Sequence, residues 1–291
     1  MSASSRPPRD GVLTTTDHSR DGAGLTYVYP VLSRRAKGLS VGLNLNTNNA
    51  CNWRCIYCQV PGLLRGAAPP VDLDLLEREL RGFLTEVVHG DFLARRVPAG
   101  MRRLNDIALS GNGEPTSARE FDMVVSIIGR MRRDIGVEAE VRTILLSNGS
   151  LVHRSGVQRG LRRLAQLNGE VWFKVDRATT PGMRLVNGVN LPLARVRRNL
   201  ETAARLCPTW IQTCLFALDG QPPPDDEVEA YIGFLADLRA GGVPVCGVYL
   251  YGIARPSMQP EAPRLSLLPE AWLQSLGQRV RLLGYVVSVA P

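Results

Sequence analysis

Cys51-Asn52-Trp53-Arg54-Cys55-Ile56-Tyr57-Cys58 places three cysteines at gaps of three and then two residues, with an aromatic directly before the last. Three thiolates hold only three irons of a four-iron cluster, whereas clusters of that type ordinarily take four cysteines. The remaining iron is left open, and an open metal position is where chemistry occurs, as at catalytic zinc. A structural zinc or other metal site is the competing reading. It would want a fourth Cys or His close by, and the nearest histidines, His18 and His89, are remote in sequence.

On either side of this stretch, strand and helix patterns alternate. Over 40–46, Val41, Leu43 and Leu45 point one way while Ser40, Gly42, Asn44 and Asn46 point the other, the period-two pattern of a strand with one apolar face. Further strands are expected at 106–110, 141–147, 171–176, 210–216, 243–251 and 285–289. Helices are expected within 71–96, where Leu76, Leu80, Phe83, Leu84, Val87 and Val88 recur at helical spacing, and at 117–133, 155–168, 193–206, 226–239 and 269–283. Ser117/Glu120 and Ser155/Gln158 have the spacing of capping boxes. The Pro-rich 221–226 and the stretch 255–265 read as loops. Repeated strand–helix alternation predicts parallel strands with helices packed outside. At 291 residues, one α/β domain of barrel type over 25–291 is the simplest account, behind a polar, disordered tail at 1–24.

Composition narrows the function classes. Hydrophobic residues make up 44%, yet no apolar run approaches the roughly 20 residues of a membrane span, and the N-terminus lacks the apolar segment of a secretory signal. Six cysteines in a chain this long are too few for a disulfide scaffold, and clustering of three favours metal binding in a reducing cytoplasm. A net charge of +8 admits a polyanionic partner such as RNA. The arginines, however, are scattered in small groups, most of them on expected helices, whose outer faces are solvated anyway.

Three further segments read as ligand-facing. Ser110-Gly111-Asn112-Gly113-Glu114-Pro115-Thr116 follows an expected strand and precedes a helix, the place where α/β barrels put their active sites. Gly111 and Gly113 allow close backbone approach, Pro115 ends strand pairing, and exposed carbonyls with Glu114 suit a ligand ammonium. On the 171–176 strand, Trp172, Lys174 and Asp176 share a face. A Lys and an Asp there are costly to bury unless paired or functional, so they are either cavity residues or a structural ion pair. Ser147-Asn148-Gly149 closes its own strand, as polar groups reaching a ligand or as an ordinary turn.

Together these residues resemble the radical S-adenosylmethionine (SAM) superfamily: the cysteine loop after the first strand, Gly/Glu/Pro after the second, Ser/Asn after the third, Lys/Asp on the fourth. Asn112 departs from the usual glycine pair. The resemblance covers 25–291 and implies a partial (β/α)6 barrel, with helices outside, in which Cys51, Cys55 and Cys58 hold a [4Fe-4S] cluster. It implies SAM contacts from Gly111, Asn112, Gly113, Glu114 and Pro115 at the methionine amino group, Lys174 at the carboxylate, and Asp176, Ser147 and Asn148 near the ribose. Tyr57 is placed by the adenine or in loop packing, and Tyr249 and Leu250 at the adenine pocket or in the core. The implied activity is reductive cleavage of SAM to a 5′-deoxyadenosyl radical that abstracts hydrogen from a substrate. A reductant such as flavodoxin or ferredoxin is the implied partner, and no membrane is involved.

At finer grain, Pro30-Val31-Leu32-Ser33-Arg34-Arg35 and Arg255-Pro256-Ser257 resemble the branch containing the wyosine-type tRNA imidazoguanine synthases. Those synthases bring extra cysteines upstream for a second cluster, and this chain has none before Cys51. Cys207, Cys214 and Cys246 read as packed thiols, although Cys214 and Cys246 lie on consecutive expected strands. Arg34, Arg35 and Arg255 face an anionic substrate or pair with carboxylates. Substrates within the resemblance include tRNA, a small molecule, or the partner of a glycyl-radical activating enzyme. The non-catalytic alternatives are an iron–sulfur electron carrier and a basic RNA-binding protein with a metal-stapled loop.

Overall fold

The computed structural model describes residues 11–15, 23–33 and 38–290. Its main sheet has eight strands paired in chain order: β1 (Val28–Ser33), β2 (Gly38–Asn44), β3 (Leu104–Ser110), β4 (Arg142–Ser147), β5 (Gly169–Lys174), β6 (Thr209–Leu215), β7 (Val245–Gly252) and β8 (Val287–Ala290). β1 runs antiparallel to β2, and every other pair is parallel. Parallel neighbours need crossovers. Six helices supply or follow them: α1 (Leu73–Val88), α2 (Phe121–Ile135), α3 (Ser155–Gln166), then α5 (Leu193–Leu206), α6 (Asp225–Ala240) and α7 (Glu270–Leu282), with α4 (Thr180–Asn187) placed before α5.

The expected order of strands and helices is therefore present, with two additions. β1 precedes the first expected strand; Pro30 sits within it, which an edge position tolerates. The second addition is α4, whose sequence TPGMRLVN carries a Pro and a Gly that obscure its pattern; Thr179 caps it by accepting from the Gly182 N–H at 2.9 Å. Neither expected capping box forms. α2 begins at Phe121, and the Ser117 hydroxyl instead accepts from the Ala68 N–H and the Asn46 amide. α3 starts after Arg154 without a side-chain cap, and Gln158 donates to the Val152 carbonyl. In both places a tertiary or loop partner outcompetes the local cap.

The two faces of the sheet divide as the alternation requires. Val41, Leu43, Ile107, Leu109, Leu145, Phe173, Ile211 and Val248 are fully buried in the core under the helices. The residues between them line a cavity of about 390 Å³: Ser40 and Gly42 on β2, Asp106, Ala108 and Ser110 on β3, Ile144 and Leu146 on β4, Trp172 and Lys174 on β5, Gln212 and Cys214 on β6. Residues 11–15 attach to the body, where the Leu13 N–H donates to the Arg96 carbonyl and Arg96 donates to the Gly11 carbonyl. Arg34 and Arg35 lie outside the described residues. Among the described residues no helix is long and apolar enough to cross a membrane.

Candidate functional site

Cys51, Cys55 and Cys58 all line the cavity, as do residues 111–114, Ser147, Asn148 and Lys174. The cysteine loop lies between β2 and α1 and is fixed by three separate segments. α4 meets it end-on: the Arg54 and Ile56 N–H groups donate to the Asn187 and Val186 carbonyls at 3.0 and 2.9 Å. Gly188 must be small and left-handed there (φ +65°), since a Cβ would stand 2.8 Å from the Arg54 carbonyl. From the other side, the Ser257 hydroxyl donates to the Ile56 carbonyl at 2.7 Å, Gln259 donates to the Cys58 and Val60 carbonyls, and Arg54 forms a two-toothed ion pair with Glu261. The third segment is the 111–114 turn. Gly113 presses so closely on the loop that a Cβ would lie 2.1 Å from the Ala50 carbonyl oxygen. Asn112 bonds Asn44 through its N–H and Asn49 through its amide.

Glu114 is placed differently from its sequence reading. Its carboxylate is 2% exposed and already accepts from the Thr116 N–H and hydroxyl, the Ser147 hydroxyl and the Asn148 N–H, at 2.6–3.1 Å. Burial raises its pKa and these donors oppose the rise. Glu114 is thus a bracket joining the 111–116 turn to the end of β4. Ser147 is spent on the same bracket, and Asn148 donates to Asn52 of the cysteine loop at 2.8 Å. Pro115 is buried and opens a short 3-10 turn without lining the cavity.

Lys174, Asp176 and Tyr57 form one network. Lys174 Nζ donates to the Tyr57 hydroxyl at 2.6 Å, and that hydroxyl donates to Asp176 Oδ2 at 2.5 Å. Asp176 also accepts from the Asn187 amide and from the Cys214 N–H, and its side chain has no exposure. It therefore has the pairing role. Lys174 retains 18% side-chain exposure and reaches the cavity. Burial works against its charge, but the Asp176 carboxylate outweighs this and its pKa is raised. Tyr57 packs on Phe216 with ring centroids 5.6 Å apart, and burial with the Asp176 charge pushes its hydroxyl pKa up.

Leu250 requires correction. It is fully buried in the core because successive residues of β7 face opposite sides, and Tyr251, Ile253 and Arg255 line the cavity instead. Tyr249 packs between two indoles, tilted against Trp172 at 4.9 Å and stacked on Trp210 at 4.6 Å. Cys214 is buried on the cavity wall, Cys207 is buried with its thiol donating to the Gly169 carbonyl, and Cys246 is exposed. Arg255 donates to the Thr15 carbonyl. Two residues that sequence reasoning missed also belong to the site. Asn187 donates to Cys55 Sγ at 3.4 Å, and Asp106 lies on the cavity floor beside Ser40.

The donor set fits an iron–sulfur cluster. The three cysteines are free thiols, and soft thiolates select such clusters. Among the described residues no group of three or more His, Cys, Asp or Glu converges on a single-ion position; a four-iron cluster does not need one, since each thiolate takes its own iron. Burial pushes the Cys51 and Cys55 thiols up to about 11 and about 12, so metal loading must displace their protons. Beside the loop, Asn46 Oδ1 and Asn187 Oδ1 are buried without a hydrogen-bond partner among the described residues, although neither residue lines the cavity.

No protein-family model matches the chain. A UPF0026 protein of Helicobacter pylori (strain ATCC 700392 / 26695) is 29% identical over 138 residues, a match spanning 46% of this chain and only 38% of that relative. Among solved structures, TYW1 with a lysine-pyruvate adduct bound aligns at TM-score 0.56 and 14% identity, covering 85% of this chain and 74% of that one. A radical SAM methyltransferase from Sphaerobacter thermophilus aligns at TM-score 0.56 and 15% identity, covering 90% and 68%. The motif resemblance and the arrangement of the sheet thus agree, and the chain has the fold of the radical SAM enzymes.

Proposed function

We propose that this chain is a radical SAM enzyme, one domain over 25–291 whose sheet curves as a partial (β/α)6 barrel. The observation that carries the reading is the convergence of Cys51, Cys55, Cys58, the 111–114 turn and Lys174 on one cavity of about 390 Å³, within the usual range for small-molecule sites. Cys51, Cys55 and Cys58 hold the [4Fe-4S] cluster. When bound, it supplies the electron that cleaves SAM to a 5′-deoxyadenosyl radical. The backbone of 111–113, whose two glycines let the turn press against Asn44 and the Ala50 carbonyl, takes the methionine amino group, and Lys174 takes the carboxylate. The three segments around the cysteine loop keep the thiols oriented and limit water access to the chamber.

The test is anaerobic reconstitution followed by addition of SAM and dithionite, with 5′-deoxyadenosine quantified against Cys55→Ala. Formation that depends on the intact triad is the expected result. Zinc in place of iron with no SAM binding would refute the reading. A flavodoxin or ferredoxin is the physiological reductant in this account, which places the protein in the reducing cytoplasm. The net charge of +8 makes tRNA the first substrate to try, with salt-sensitive binding as the readout.

A further inference from the structure

The cavity continues well below the cysteine loop. Asp106 lies four residues before Ser110 on β3, which at about 3.3 Å per residue puts it roughly 13 Å beneath the strand ends that form the mouth. It is 5% exposed and lines the cavity. One of its carboxylate oxygens accepts from the Ser40 hydroxyl on the adjacent strand. Among the described residues no donor is bonded to the other oxygen and no cation pairs with the carboxylate. Arg142, the strand partner of Asp106 on β4, is engaged with Glu170 at 2.7 Å. The surroundings on the cavity side are mostly small or apolar, Gly42, Ala108, Ile144 and Val31, with Ser33 at the end of β1.

A buried carboxylate with half of its hydrogen-bonding capacity unused is costly. Nothing in the cysteine loop, the 111–116 bracket or the Lys174 network uses it. Burial raises its pKa to about 6, so at neutral pH it is largely charged, and no counter-ion pairs with it among the described residues.

We infer that Ser40 and Asp106 form the far end of the substrate chamber and receive a nitrogen-bearing cationic group of the substrate, an amine, amidine or guanidine, inserted from the mouth. The inference rests on the proposed function only in taking the cavity as the substrate chamber. A planar amidinium matches a carboxylate with two parallel hydrogen bonds, which are charge-assisted and short. The roughly 13 Å between mouth and floor leaves room for the reacting carbon to stand near the cysteine loop while the cationic end reaches Asp106. This divides the chamber: Lys174 and the 111–113 backbone act at the mouth, and the negative charge on the floor selects the substrate.

The probe is benzamidine, compared with its neutral isostere benzamide, by calorimetric titration of the reconstituted full chain; SAM is titrated separately on the same preparation. The expected result is a preference for benzamidine of at least about tenfold, abolished in Asp106→Asn. Should that variant fail to fold, Ala108→Leu keeps the carboxylate but blocks the path to it, and is expected to lose benzamidine binding likewise. Equal binding of the two probes, or a preference that survives both substitutions, overturns the subsite. Failure of SAM to bind wild type overturns the proposed function instead and leaves the amidine preference to be judged by its own comparison.

Discussion

Replacing Asp106 with asparagine separates the charge of this buried group from its shape. Burial lifts its pKa from 3.8 to about 6; Ser40 and Arg142 oppose the rise and Glu170 adds to it. An acid whose folded pKa lies above its unfolded value holds its proton more tightly when folded. Its contribution to stability is therefore present below about pH 4 and is lost as the pH climbs through 6. A shift of about two units, at roughly 1.36 kcal/mol each, makes the full loss about 3 kcal/mol. Part of it has gone by pH 5, leaving about 1.4 kcal/mol to be lost between pH 5 and 8. Asparagine keeps an oxygen for the Ser40 hydroxyl and does not titrate. The variant is expected to be more stable than wild type at pH 8, with an advantage about 1.4 kcal/mol smaller at pH 5. Urea unfolding of the metal-free chain, followed by circular dichroism at the two pH values, measures this. An advantage that is the same at both, or a variant less stable at pH 8, refutes the argument that position 106 holds a desolvated charge. A stabilised protein with a weakened site is the ordinary trade-off when a functional charge is removed.

Gly113→Ala would push a Cβ to 2.1 Å from the Ala50 carbonyl oxygen; the cysteine loop must move, so calorimetry should show a loss of about 1–3 kcal/mol together with weaker SAM binding. Asn187→Leu removes the donors to Cys55 Sγ and Asp176 Oδ2. It should cost about 1–3 kcal/mol and lower the midpoint potential of the reconstituted cluster, since a donor to a ligating sulfur favours the reduced form; a redox titration followed by electron paramagnetic resonance reads the shift. With Cys51 and Cys55 held as thiols by burial, iron–sulfur loading at pH 7 should release close to two protons from this pair alone. A pH-stat during reconstitution counts them, and the release should fall in Cys55→Ala.

The strands from β2 onward were legible because their alternation is strict. On β2, Val41 and Leu43 enter the core while Ser40 and Gly42 face the cavity. The cysteine spacing and the Gly111–Gly113 pair were legible because close backbone approach and metal ligation demand those residue types. Less local features did not show. Asn187 is an unremarked asparagine at the end of a short helix, and its role arises only when α4 docks on Arg54 and Ile56. Asp106 reads as a strand-opening residue until its neighbours are known, because its partner Ser40 lies 66 positions away. Leu250 was misplaced by a one-residue error of face, which in a strand reverses inside and outside.

Glu114 shows how the mouth holds its shape before any ligand arrives. A carboxylate there would attract an ammonium, yet its oxygens already accept four hydrogen bonds from Thr116, Ser147 and Asn148. Removing it would leave buried donors unpaired at the ends of two strands, with consequences reaching Asn52 through Asn148. Asp176 does the same for the opposite wall, linking Tyr57 of the cysteine loop, Asn187 of α4 and the Cys214 N–H of β6. Both acids are thus committed to positioning, which is why the proposed function gives the SAM contacts to backbone carbonyls and Lys174. Asp106 is the contrasting case: an acid on the same cavity wall with, among the described residues, only Ser40 to answer it. The difference in how these three carboxylates are satisfied is what separates the frame of the site from the place where a substrate cation would complete it.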